Sequence, residues 1–187
     1  MSVIRLTERK LKDTRFRKTE EAIFKVFFDG ENGIKLNVNE ITAKIGVDRA
    51  TFYRHHRAAC EIEEDYERYI LEKYIKLIQG IKMKGDIELR KLYYEMLIFI
   101  LHNRKIFEAL VKRRNLRVIG EMIEMLRPEV QLPNNSERVF RVYIGEVVGL
   151  IVDWGMEGFR ETEIVKLLDN IEYITDTVGE RLKMLRN

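Results

Sequence analysis

The segment Asn37–His56, NVNEITAKIGVDRATFYRHH, concentrates side chains whose types and spacing suit recognition chemistry. Arg49, Thr51, Tyr53 and Arg54 bring guanidinium, hydroxyl and phenol groups that donate to phosphate oxygens or to base edges. On a helix, Arg49, Ala50, Thr51, Tyr53 and Arg54 face outward while Phe52 anchors inward, which is the division that groove reading requires. In an arbitrary helix both aromatics read as core; within this spaced motif Tyr53 is assigned outward and Phe52 stays core. The adjacent His55 and His56 point in different directions, and no nearby Cys or carboxylate pattern completes a ligand set, so neither a metal nor a cofactor is expected. P-loop, dinucleotide-binding glycine, nucleophile-elbow and paired metal-ligand motifs are all missing, so the expectation is that the chain is not an enzyme.

These residues need short, well-terminated elements to hold them. Asn37 is a good N-cap for a helix over Val38–Ile45, in which Val38, Ile41 and Ile45 share one side. Gly46 ends that helix, and Asp48 caps another from Arg49 to about His56. Two short helices, a glycine turn and a second N-cap are the sequence form of a helix-turn-helix. Ahead of them a helix from about Thr14 or Arg15 to Asp29 carries Phe16, Ile23, Val26 and Phe27 on one face, and Gly30 and Gly33 stop it.

Downstream, helical periodicity predicts a long helix from Glu61 to about Lys84, ended by Gly85, and a further one capped by Asp86 and running through Leu101. Shorter helices follow near Lys105–Arg113 and Leu116–Leu126, then the loop RPEVQLPNNS, which holds both prolines. Ser136 is expected to cap a helix over Glu137–Phe159, and Thr162 a last one reaching about Leu185. The expected fold class is all-α, about nine helices, with a head over residues 1–57 and a body over 58–187.

Composition agrees with a folded head and body. Hydrophobic residues make up 45% and charged residues 35%, enough for a substantial core. The apolar runs Met96–Leu101 and Val147–Val152 fall far short of the roughly 20 residues that span a bilayer. A single cysteine, Cys60, and an N-terminus without a signal-peptide core make the cytoplasm the expected compartment. Net charge is +3, but residues 1–57 hold 13 Lys or Arg against 8 Asp or Glu, whereas the remainder holds 21 against 23. The basic excess thus lies in the head, as a polyanion-binding surface requires.

The run Gly46, Val47, Asp48, Arg49, Ala50, Thr51, Phe52, Tyr53, Arg54, His55, His56 closely resembles the recognition segment of the TetR family of bacterial regulators. RKTEEAIFKVFF and VNEITAKIGV look like that family's first two helices, and FRVYIGEVVGLIVDWGMEGF is similar to the penultimate helix of one subgroup. The resemblance implies a repressor that grips a palindromic double-stranded DNA operator as a homodimer and answers to a small-molecule effector. It implies phosphate or nearby contacts for Thr51, Tyr53 and His55, and base contacts for Arg49 and Ala50. Arg15, Lys18 and Asn39 are further backbone-contact candidates, and Arg54 and Arg57 add charge; a basic tail of Arg5, Arg9, Lys10 and Lys12 precedes them. The chain departs from the pattern at His56, usually phenylalanine, and at Ala58, Ala59 and Cys60, where a cap and a lysine are missing.

In the body, Gly145, Gly149, Gly155 and Gly158 permit close approach of another backbone, with kinks or internal packing as the plainer explanations. The resemblance favours a dimer interface there, with Leu150, Ile164, Leu168 and Ile171 as its apolar part. Tyr93, Met96, Phe99, Ile100, Phe107, Met122 and Trp154 are candidates to line an effector cavity, and at helical spacing they also suit plain core. A protein-interaction module built on a helix-turn-helix without DNA is the rival reading, supported by the missing lysine and the modest net charge.

Overall fold

Apolar residues recurring every three or four positions commit nearly all of this chain to helices, and the computed structural model describes residues 14–28, 36–83, 88–130 and 137–184. Among them are nine α-helices and three short 3-10 turns, with no strand. The helices are α1 (Thr14–Phe28), α2 (Val38–Ile45), α3 (Arg49–His55), α4 (Ile62–Lys82), α5 (Leu89–His102), α6 (Arg104–Lys112), α7 (Arg117–Glu124), α8 (Glu137–Met156) and α9 (Ile164–Met184). No helix among the described residues is long and apolar enough to cross a membrane. The basic tail, Gly30, Gly33, Gly85, and the expected caps Asp86 and Ser136 lie outside the described residues, as do Pro133 and Leu185.

The chain divides into two compact units, residues 1–68 and 69–187. The division falls inside α4 rather than after residue 57, because the first turns of that helix pack with α1: Tyr66 meets Phe24 edge-on at 4.2 Å between ring centroids. Ile23, Phe27, Ile41, Phe52 and Ile62 complete the core of this first unit.

In the second unit α8 packs against α6, α7 and α9, and α9 also packs against α5. The approach of α8 to α6 requires glycine at position 155. A β-carbon there would stand 2.7 Å from the Phe159 ring and 3.2 Å from Val111. The same packing ends α8 earlier than its apolar pattern predicts. Gly158 and Phe159 both turn to positive φ, +83° and +50°, which lets the Phe159 ring fold back edge-on against Trp154. Thr162 is not the cap of α9; it sits in a 3-10 turn, Glu161–Glu163, whose N-cap residue, Arg160, makes no side-chain bond.

Candidate nucleic-acid interface

The segment Asn37–His56 is built by local hydrogen bonds. The side chain of Asn37 accepts from the Glu40 amide at 3.1 Å while Glu40 accepts from the Asn37 amide at 2.8 Å, a reciprocal capping box that starts α2. Gly46 closes α2 at φ +70°, a left-handed conformation that costs residues with a β-carbon. Asp48 starts α3 by accepting from the Thr51 amide at 2.5 Å, and that backbone bond holds its carboxyl below the usual range. Caps thus set both helices and the turn between them.

Phe52 is fully buried, whereas Asn39, Arg49, Ala50, Tyr53, Arg54 and Arg57 are exposed and Thr51 is half-buried. On α1, Arg15 and Lys18 are exposed as well. The exposed side chains of α3 order one another. Arg49 donates to the Tyr53 hydroxyl at 3.1 Å and Arg54 donates to the Thr51 hydroxyl at 2.7 Å. Each guanidinium is therefore presented along the helix beside a hydroxyl, a pairing suited to two adjacent acceptors on a polyanion.

His55 requires a correction. Its side chain is only 4% exposed, stacks on Phe16 at 3.9 Å, and donates through Nδ1 to Glu20, so a direct phosphate contact does not fit its position. It anchors α3 to α1 instead. His56 is buried beside it: Nδ1 donates to Asp65 at 2.9 Å, and Nε2 lies 3.2 Å from the second Glu20 oxygen, paired with it by charge rather than by an aligned hydrogen bond. Burial by itself would lower the His56 pKa, but the Asp65 and Glu20 carboxylates push it up to about 9. Burial would likewise raise Glu20, yet its contacts to His55 and His56 bring it down to about 2. A buried imidazolium between two carboxylates thus ties α1, the end of α3 and the start of α4. Sequence reasoning missed it, although an acidic Glu20 among Phe16, Ile23 and Phe27 was its signal. Ala58, at the N-cap of the 3-10 turn Ala59–Glu61, makes no side-chain capping bond.

Elsewhere the expected groupings separate. Ile164, Leu168 and Ile171 are at most 4% exposed and belong to the chain's own core, so they are not available to a partner. Gly145 and Gly149 are exposed with open space beyond them, and Leu150 is half-buried. Of the expected cavity residues, Met96, Ile100, Phe107, Met122 and Trp154 are closed in the core and Phe99 is half-buried against Tyr74 and Phe107. Tyr93 borders a cleft of about 380 Å³, together with Glu88, Leu89 and Arg90 of the α5 end and Leu168, Ile171, Glu172, Thr175 and Asp176 of α9. Among the described residues no group of His, Cys, Asp or Glu has the arrangement to hold a metal ion. No protein-family model and no curated protein matches this chain.

Proposed function

We propose that this protein is a DNA-binding transcriptional regulator of the TetR type, a cytoplasmic homodimer whose α3 enters the major groove of a palindromic operator. The observation that carries the reading is the capped pair α2 and α3, with Phe52 buried and Arg49, Ala50, Tyr53 and Arg54 exposed on one short helix. Such a helix can offer its N-terminal side chains to base edges while its flanks meet phosphates. Arg49 is the candidate base reader; Thr51, Tyr53 and Arg54 are phosphate contacts, with Arg15, Lys18, Asn39 and Arg57 around them. Pairing of two chains is supported by Val142, Gly145, Gly149 and Met156, which leave an apolar line exposed along α8. In this reading an effector held in the second unit controls operator binding and makes the protein a repressor.

Gel-shift titration against the DNA upstream of the protein's own gene tests the reading. Tyr53→Phe should weaken specific and non-specific binding alike and lower the salt slope by about one phosphate equivalent. Arg49→Ala should instead relax sequence preference, costing about 1–3 kcal/mol if it reads a guanine bidentately. A chain that binds no duplex DNA, or variants that bind as the parent does, would refute it.

A further inference from the structure

Helix α6 and the turn after it concentrate positive charge. Residues 104–117 hold Arg104, Lys105, Lys112, Arg113, Arg114 and Arg117 against Glu108 alone. Without that stretch, the 21 Lys or Arg against 23 Asp or Glu of residues 58–187 become 15 against 22, so a basic surface stands out on an acidic body. Arg104, Lys105, Lys112 and Arg114 are exposed, and their side chains make no ion pair or hydrogen bond among the described residues. Arg117 reaches Glu121 at 3.3 Å.

Local stability argues against cations at both ends of this helix. The first turn of a helix disfavours positive charge, yet Arg104 and Lys105 open α6 with no acidic residue beside them. Asn103 does not cap that turn; its side chain donates back to the Phe99 carbonyl at 2.7 Å. At the other end the Arg114 amide donates to the Val111 carbonyl and the Asn115 amide to the Leu110 carbonyl, both at 2.9 Å, the closure that puts a left-handed residue after a helix. Glycine meets that requirement without strain, but Arg114 stands there at φ +56°. Lys112 in the last turn already complements the helix C-terminus, so the stability of α6 does not account for the other cations. Strain and like charge kept together in one place point to a demand made on that surface by a ligand.

We infer that this surface holds the phosphate backbone of duplex DNA as a second contact that reads no sequence; DNA as its occupant rests on the DNA-binding reading. Arg104 and Lys112 stand eight residues apart, about 12 Å along the helix axis, and a duplex laid along that length presents about seven phosphate charges to the four unpaired cations. A protein interface centres on apolar or aromatic anchors, and a membrane surface takes up the apolar face of a helix. None of the large exposed hydrophobic residues among those described lies within 104–117, and Phe107, Leu110 and Val111 of α6 are buried in the unit's own core. Charge without an apolar anchor matches a phosphate backbone, which offers charge and no pocket.

Fluorescence-anisotropy titration of the full chain with a duplex of unrelated sequence, repeated over a range of salt concentrations, tests the inference. The triple variant Arg104→Gln/Lys105→Gln/Lys112→Gln, all exposed positions and checked for folding by thermal unfolding, should weaken binding about tenfold or more and lower the salt slope by about two to three phosphate equivalents. Arg114→Gly should bind about threefold more weakly and melt no lower than the parent. Poly-glutamate of matched charge should compete more weakly than the duplex. The inference fails if the triple variant or Arg114→Gly binds as the parent does, or if Arg114→Gly melts below it. It fails too if poly-glutamate competes as well as the duplex, which would assign the surface to an acidic protein. Tyr53→Phe, titrated alongside, separates the two readings. Binding that answers to Tyr53 and not to the triple variant overturns this inference alone; binding that answers to the triple variant and not to Tyr53 overturns the α3 assignment alone. A parent that binds no duplex overturns both.

Discussion

His56 carries its charge inside the first unit because two carboxylates reach it there. Glu20→Gln leaves the buried His56 imidazolium with Asp65 as its one remaining carboxylate and takes the charged acceptor from His55, so it should destabilise the first unit by about 3 kcal/mol, read from chemical denaturation. The pH dependence has a definite sign. His56 is raised from 6.5 to about 9, so its contribution is complete below pH 6.5 and is lost as pH rises through 9. Glu20 is lowered from 4.5 to about 2, so its contribution is complete above pH 4.5 and is lost as pH falls through 2. The unfolding midpoint should therefore be highest between pH 4.5 and 6.5 and decline from pH 7 to 9.5, and Glu20→Gln should flatten that alkaline decline. A parent midpoint constant over pH 7 to 9.5 would contradict the buried imidazolium. His55 shares Glu20, so His55→Ala should lower stability through lost anchoring, and any effect on DNA should follow the fraction folded.

Helix α8 carries three glycines with different surroundings, and only Gly155 is closed in. At Gly155 a methyl group meets the buried Phe159 ring and Val111, and the ring cannot withdraw without disturbing Trp154, so Gly155→Ala should cost about 1–3 kcal/mol by overpacking. At Gly149 nothing lies within 4 Å of an added β-carbon, so in an unpartnered chain Gly149→Ala should add about 1 kcal/mol through helix propensity. Opposite shifts in the melting midpoint of the two variants are the expected result; equal shifts would mean the packing around Phe159 has been misread. The turn before α3 is a third case, because Gly46 stands in open space and yet cannot be replaced freely. Its φ of +70° is the constraint, and Gly46→Ala should cost about 1–2 kcal/mol.

At the scale of the whole molecule, one recognition helix reads too few base pairs to select a site, so specificity demands two heads in a fixed relation. The proposed homodimer supplies them, and half-sites should lie about one helical turn apart or a multiple of it. Gly149 is the position at which to break the pairing. It is exposed and its surroundings are empty, so Gly149→Glu should leave each chain folded while sedimentation shows monomers that bind the operator poorly. A charge at Leu168 would not make the same test, since that side chain is 4% exposed in its own core and its loss would unfold the chain. A parent protein that sediments as a monomer yet binds a single half-site tightly would exclude the paired arrangement.

The capped helix pair of Asn37–His56 is legible in the sequence because its determinants are local. Asn37 with Glu40, and Asp48 with Thr51, are bonded three residues apart, and such bonds form wherever the segment folds. The alternation of Phe52 inward and Tyr53 outward follows from helix geometry alone. What the sequence could not decide is which surface an apolar stripe meets. Ile164, Leu168 and Ile171 would serve a partner or a core equally well by spacing, and packing against α5 and α8 put them in the core. The polar sites needed the fold even more. Glu20 meets His55 across 35 positions, and Arg90 meets Asp169 and Glu172 across 79 and 82. A charge is stabilised by whatever stands a few ångströms away, and periodicity along one helix carries no record of a neighbour brought there from another.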